Sequence, residues 1–423
     1  MTTDLSHDAA QVLDRNWTGR YTTPSTGLYP HQWSWDSAFI AIGLRHLHPA
    51  RARQELTNLF DAQWADGRVP QIVYDADRDE DYQPSGAFWR STSVPGAASV
   101  PTAGLIQPPN HAWAVWLVHR ADPEGSDRSG FLAGLYPKLV RWHDYLTRFR
   151  TSPGSELASI VHPWESGTDN SPLWDDALAR LPRVNHEIPR TDLRHADASE
   201  RPSQKEYGTY YWLAENYRAL DCDHRAGEWL FLLEDPSLNA LWAASEHALE
   251  EIAGSIGADP APHAARAAVL TEALESLFDS TTGLYVARDV VTGALVRKAT
   301  VNGLIPLVLP HLRHAADLLT TLDGPRFLGG GALMVPSYDA TAPDHDRAQY
   351  WRGPAWFNMT WLVIQGLRAH GRTSLAGRLA ESLRRLAVEH DFPEYVDPWT
   401  GAPHGARRFS WTAALAVDLA RPA

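Results

Sequence analysis

The sequence predicts an all-α protein, an (α/α)6 barrel whose long functional loops gather at one end. Three observations predict it. Helical periodicity recurs along nearly the whole chain, short and long connections alternate between the helical segments, and no Gly- or Ser-rich linker divides the 423 residues. A ring of helix pairs satisfies all three, and barrels of this length often fold as one unit, so a single domain over 1–423 is expected.

Apolar residues recur at helical spacing over 4–17, 35–47, 50–64, 111–119 and 132–149. The pattern returns over 207–220, 227–254, 261–278, 303–321, 356–370, 374–389 and 411–420, where Leu415 and Leu419 stand one turn apart. Thr373-Ser374 after Gly371 reads as a helix cap. Between alternate helices lie 18–34, 68–110, 150–206, 279–302, 324–355 and 390–410, all rich in Pro, Gly and aromatic residues. Loops this long inside a compact chain are usually functional, and those over 68–110, 150–206 and 324–355 are expected to act as lids. Short strand pairs fit within 68–89 and 279–297, the second turning at Thr292-Gly293.

Hydrophobic residues make up 44% and charged residues 21%, ordinary for a soluble globular protein. The net charge of −13, from 38 basic and 51 acidic residues, argues against nucleic acid and anionic membranes as partners. No stretch reaches the roughly 18 apolar residues a membrane-spanning helix needs. Residues 1–17 lack the pattern of a signal peptide, so a cytoplasmic protein is expected. The single Cys222 excludes an intramolecular disulfide and reads as a small buried hydrophobe.

Several chemistries are absent. Gly329-Gly330-Gly331 lacks the Lys and Ser/Thr of a phosphate loop and reads as a turn. There is no Gly-x-Ser-x-Gly elbow. His46 with His48, and His311 with His314, lack a convincing third ligand, so neither a metal nor a cofactor is expected. The 18 Trp, 14 Tyr and 11 Phe, many in loops, suit a small-molecule sugar substrate whose C–H groups pack on aromatic faces. The oligomeric state is left open, a homo-oligomer included, because no exposed apolar stripe stands out from the core stripes.

Five loop motifs carry the candidate chemistry. His162-Pro-Trp-Glu-Ser-Gly-Thr-Asp-Asn-Ser171 places Glu165 and Asp169 in a turn-prone loop with no helical or strand period. It reads either as a functional pair or as an acidic turn capped by Asn170 or Ser171. Asp391-Phe-Pro-Glu-Tyr-Val-Asp-Pro-Trp-Thr-Gly401 places Glu394 among aromatics, whereas Asp397-Pro398 with Gly401 reads as a turn. In Gln32-Trp-Ser-Trp-Asp36, the acid either caps an apolar helix or grips sugar hydroxyls. Gly104-Leu-Ile-Gln-Pro-Pro-Asn110 and Tyr350-Trp-Arg-Gly-Pro-Ala-Trp356 complete the set. Glycoside hydrolysis needs two carboxyl groups flanking one bond, one protonated and one ionised. Apolar walls raise the pKa of the protonated one. Asp169 and Glu394, far apart in the chain, can meet this need only if the fold closes on itself.

In this order and spacing, the five motifs, with Phe409-Ser-Trp-Thr-Ala413, resemble glycoside hydrolase family 63 from about 21 to 419. Within it the chain is most similar to the bacterial mannosylglycerate and glucosylglycerate hydrolases. The resemblance implies an (α/α)6 barrel and inversion at an α-glycosidic bond. It implies Asp169 as general acid, Glu394 as general base, and Glu165 as a sugar-binding group or a support behind the site. Tyr29, Trp33, Trp35, Asp36, Gln107, Trp164, Trp351 and Trp356 would line the pocket for the cleaved hexose. Arg201 and Tyr207 would hold a glycerate carboxylate, with Tyr82 and Tyr350 as further candidates. Arg201 reads equally as a solvated loop charge, in which case Arg407 or Arg408 could meet the carboxylate. If Arg201 turns away, a neutral α-glucoside is the expected substrate. A trehalase- or glucoamylase-like hydrolase and a non-catalytic sugar-binding protein are the other readings. Inversion leaves room for a water and sets the carboxyls roughly 6.5–9.5 Å apart.

Overall fold

The computed structural model describes residues 2–182, 188–194 and 196–421. Residues 183–187 and 195, part of the predicted long segment 150–206, lie outside the described residues. The fold is mostly helical. Its main helices are α1 (Thr2–Arg15), α2 (Ser34–Leu44), α3 (Pro49–Asp61), α4 (His111–Ala121) and α5 (Phe131–Tyr145). Then come α6 (Gln204–Ala219), α7 (Pro236–Ser255), α8 (Ala261–Leu274) and α9 (Ala315–Asp323). The chain ends with α10 (Phe357–Ala369), α11 (Thr373–Glu389) and α12 (Ser410–Leu419).

The helices divide by their apolar pattern. Every residue of α2 and of α12 is buried, and apolar residues all round such helices require neighbours on all sides. On α11 only one stripe is buried, Leu375, Leu379, Leu383 and Leu386 with adjacent alanines. Such a stripe needs one partner layer. The packing follows from this. In one closed circuit α2 touches α4, α4 touches α7, and α7 touches a 3-10 helix over Val301–Val308. That helix touches α10, α10 touches α12, and α12 returns to α2. Outside the circuit α1 packs on α12, α3 on α2 and α4, and α5 on α4 and α7. There too, α8 packs on α7, α9 on the 3-10 helix, and α11 on α10 and α12.

Several expected boundaries move. The helix expected over 227–254 starts only at Pro236, because Asp235 is extended and caps the amides of Ser237 and Leu238, while Leu233–Glu234 is a strand. The stretch over 303–321 is two elements, since Pro306 and Pro310 remove the amide donors a continuous α-helix needs. The expected Thr373-Ser374 cap is replaced by Arg372, which makes no capping hydrogen bond. The strand pair expected inside 68–89 does not form: Ile72–Val73 pairs with Gln32–Trp33 instead. The hairpin over 279–297 does form, Ala287–Asp289 against Ala294–Val296, with Gly293 at φ 74° in the turn. It extends a four-stranded sheet with Ser159–Ile160 and Leu233–Glu234. A three-stranded sheet of Ala355–Trp356, Tyr395–Val396 and Pro403–His404 precedes α12. These short strands stiffen the long loops that lead into the inner circuit.

Candidate active site

One narrow cavity, about 560 Å³ counted to its open mouth, gathers side chains from eight separate stretches of the chain. Tyr29, Trp33, Trp35 and Asp36 come from the entry to α2, and Gln107 from the segment before α4. Trp164 and Asp169 come from the loop after the first strand of the four-stranded sheet. Arg201 and Tyr207 lie at the start of α6, Tyr350 and Trp351 before the strand Ala355–Trp356, and Glu394 before Tyr395–Val396. The aromatic walls brace one another edge to face, Tyr29 on Trp33 at 5.4 Å and Tyr82 on Trp33 at 5.0 Å between ring centres.

The loop that carries Asp169 is built by three local devices. His162 is buried; its Nδ1 accepts the Trp164 amide at 3.1 Å and its Nε2–H donates to the Tyr210 carbonyl at 2.9 Å. Burial pushes its pKa down to about 3, so it stays neutral. Gly167 turns the chain at φ 71°, where a Cβ would lie 2.5 Å from the Trp35 ring. Thr168 is tied to Asn302 Nδ2 at 3.1 Å. Asp169 follows, half-buried against the cavity. Desolvation pushes its carboxyl up to about 7, with the Arg201 charge pulling it down and Glu394 pushing it further up.

Glu394 sits differently. It is 1% exposed, and its Oε1 accepts the Tyr29 hydroxyl at 2.9 Å while Oε2 accepts the Ala406 amide at 3.0 Å. Burial raises its pKa, whereas Arg201, the Ala406 amide and Tyr29 hold it down. The two carboxyls thus face one cavity in unlike surroundings: among the described residues no other side chain bonds to Asp169, whereas the Tyr29 hydroxyl and the Ala406 amide hold Glu394. That is the contrast a general acid and a general base require. Asp36 is a third carboxyl in the same cavity, pushed well above the usual range first by burial and then by the Glu394 charge.

Arg201 is not a solvated charge. It is 5% exposed, its guanidinium lies 4.0 Å over the Tyr350 ring, and Nη1 donates to the Tyr29 hydroxyl at 3.3 Å. Its Nε donates to Asp192 Oδ2 at 3.3 Å. Among the described residues Nη2 has no hydrogen-bond partner, and the side chain lines the cavity. Arg407 and Arg408 lie in a separate surface cleft with Arg15 and Asp391.

Two expected pocket residues lie elsewhere. Glu165 is fully buried behind the wall, where Arg150 grips it at 2.7 and 2.6 Å and the Ile106 and Val161 amides donate to it. It braces the acid loop and does not reach the cavity. Trp356 is covered by Trp351, whose ring stacks on it at 3.8 Å and takes the place on the cavity wall. Trp351 reaches that place from a backbone at φ 61°. Conversely, Gln71, Gly167, Phe409 and Trp411 line the cavity without having been singled out. Phe409 and Trp411 stand in a motif quoted for its order. Gln71 carries no sequence signal, because only the pairing of Ile72–Val73 with Gln32–Trp33 brings it there. Among the described residues no group of three or more His, Cys, Asp or Glu is placed to hold a metal ion. No described helix is long and apolar enough to cross a membrane.

A helical frame and a tryptophan-walled cavity holding paired carboxyls together define an enzyme that hydrolyses glycosidic bonds. The chain belongs to the mannosylglycerate hydrolase MGH1-like glycoside hydrolase family, whose model matches residues 29–412. It is 39% identical to the mannosylglycerate hydrolase of Rubrobacter radiotolerans over 427 residues, covering 98% of this chain and 96% of that one. It is 36% identical to the glucosylglycerate hydrolase of Mycolicibacterium hassiacum over 442 residues, covering 98% and 97%. The crystal structure of the GH63 mannosylglycerate hydrolase from Thermus thermophilus in complex with Tris and D-glycerate superposes with a TM-score of 0.91. That pair is 36% identical, with 99% of this chain and 100% of the other covered.

Proposed function

We propose that this chain hydrolyses small α-glycosides of glycerate with inversion, using Asp169 as general acid and Glu394 as general base. In this reading Asp169 gives its proton to the glycosidic oxygen as the bond to the anomeric carbon breaks. Glu394 takes a proton from a water whose oxygen bonds to that carbon from the opposite face. The products are a β-configured hexose and glycerate. The raised pKa of Asp169, about 7, supports its part, because the acid must carry a proton near neutral pH.

The observation that carries the choice of substrate is Arg201, a buried guanidinium in the same cavity as both carboxyls. A fixed guanidinium is the natural partner of a carboxylate-bearing aglycone. Relatives named for mannosylglycerate and glucosylglycerate, and a neighbour crystallised with D-glycerate, point the same way. A hydrolysis screen of mannosylglycerate, glucosylglycerate, trehalose and neutral α-glucobioses tests the reading. Cleavage of the glycerate glycosides in strong preference is expected; preference for a neutral disaccharide would overturn it.

For the frame, we propose an (α/α)6 barrel forming one domain over 1–423, with 68–110, 150–206 and 324–355 as covering loops. The closed inner circuit and the elements packed outside it support this reading.

A further inference from the structure

We infer that Glu200 and His404 form a latch that sets Arg201 in the cavity, making Glu200 a positioning residue for the anionic part of the substrate. The inference rests on the reading that Arg201 meets that anion.

Neither residue lines the cavity. Glu200 immediately precedes Arg201, and its carboxylate spans to the hairpin that follows Glu394. His404 Nδ1–H donates to Glu200 Oε1 at 2.6 Å, and the Gly405 amide donates to Oε2 at 3.1 Å. The same residue acts a third time, as its carbonyl accepts the Tyr350 amide at 2.9 Å. Tyr350 is the ring on which the Arg201 guanidinium lies. One residue therefore fixes the backbone before Arg201, the ring beneath it and the hairpin beside it.

His404 is itself held in register. It pairs with Tyr395, which pairs with Trp356, so three rings cross the small sheet in a row. Trp356 stacks on Tyr395 at 4.4 Å and Tyr395 on His404 at 5.9 Å, while Trp351 covers the far end of the row at 3.8 Å from Trp356. The row runs from a wall of the sugar cavity to the Glu200 latch. Glu394, one residue before Tyr395 of the central strand, has its own anchors in the Tyr29 hydroxyl and the Ala406 amide. Ahead of Arg201, Ala198–Glu200 is one short 3-10 turn, capped by the Asp197 side chain, and none of its three residues is buried. Asp192 pairs with Arg190 and with Arg201, which fixes the guanidinium directly.

The latch acts through Arg201 and leaves the reacting carboxyls in place, so its loss belongs in KM for an anionic substrate. Glu200→Gln and, as a second variant, His404→Gln are compared with Arg201→Ala, each on a glycerate α-glycoside and on 4-nitrophenyl α-mannoside. Folding of each is checked by its thermal melt. Both latch variants are expected to raise KM for the glycerate glycoside about tenfold, the size of one charge-assisted hydrogen bond. Turnover is expected to hold within about twofold, and the neutral substrate to be unaffected. Arg201→Ala is expected to raise KM for the glycerate glycoside far more than for the neutral one, on top of a change in kcat common to both, because its charge also bears on Asp169 and Glu394. Equal effects on both substrates, or a fall in kcat with KM unchanged, in the latch variants alone would overturn the latch and leave the reading of Arg201 standing. If Arg201→Ala itself fails to discriminate, that reading falls, and the latch with it.

Discussion

Two carboxyls in one cavity behave differently because different atoms touch them. Asp169 lies against the aromatic wall, where desolvation outweighs the Arg201 charge and a backbone hydrogen bond, so the neutral form is favoured and its pKa is pushed up to about 7. Glu394 is more deeply buried, yet the Tyr29 hydroxyl and the Ala406 amide each bond to its charged form. The raised value at Asp169 has a stability consequence. Between the usual 3.8 and about 7 the folded state binds a proton the unfolded chain releases, so stability contributed by this group is lost as pH rises through that window. Asp169→Asn removes the titration. Its Tm should match the parent near pH 4 and exceed it above pH 7, while kcat falls by roughly 10²–10⁴. A variant no more stable than the parent at pH 8 would contradict the burial argument. At this scale the sequence was informative where chemistry and loop context coincided, as for Asp169 and Glu394. It left Glu165 open between sugar binding and support because two acids four positions apart share one loop, and only the fold reveals that Arg150 claims the first of them.

The elements behind the cavity owe their shape to a few residues that resist regular structure. The loop of Asp169 is held by the buried pair of Glu165 and Arg150, which joins it to the turn Leu146–Arg150 after α5 and to the Ile106 segment that leads to Gln107. Removing one partner strands a buried charge, so Glu165→Ala should lower stability by about 3–5 kcal/mol in chemical unfolding. Replacing both with apolar residues, Arg150→Met with Glu165→Leu, should recover much of that loss. A double variant as unstable as the single one would show that the loop depends on the hydrogen bonds to Ile106 and Val161 instead. Element boundaries were legible where one strong signal stood alone, as at the Thr292-Gly293 turn. They were misread where helical periodicity ran across Pro236, Pro306 and Pro310, because the apolar period persists after the backbone has lost its donors.

At the scale of the whole molecule, ends of the chain meet. The last helix, α12, packs on both α1 and α2, and Asn16 Nδ2 donates to the Ser410 hydroxyl at 2.8 Å and to the Arg408 carbonyl at 2.9 Å. The α2–α12 contact is backbone against backbone: a Cβ on Gly43 would lie 2.3 Å from Ala414 Cα. Gly43→Ala must therefore part the two helices and should cost about 3 kcal/mol, read as a lowered Tm in one calorimetric transition. Gly377→Ala, where a Cβ meets nothing within 4 Å, should leave Tm unchanged or slightly raised. Equal effects at both positions would argue against α12 as the closing element. The mostly helical frame was readable from period and connection length alone. The cavity wall was not, because residues such as Gln71 reach it through strand pairings only two residues long.

A general acid and a general base on opposite faces of the bond must invert the anomeric carbon. Proton NMR during hydrolysis of an α-linked glycerate glycoside tests it directly. The β-anomer of the hexose is expected to appear first and then mutarotate to the equilibrium mixture; the α-anomer appearing first would rule out inversion by Asp169 and Glu394.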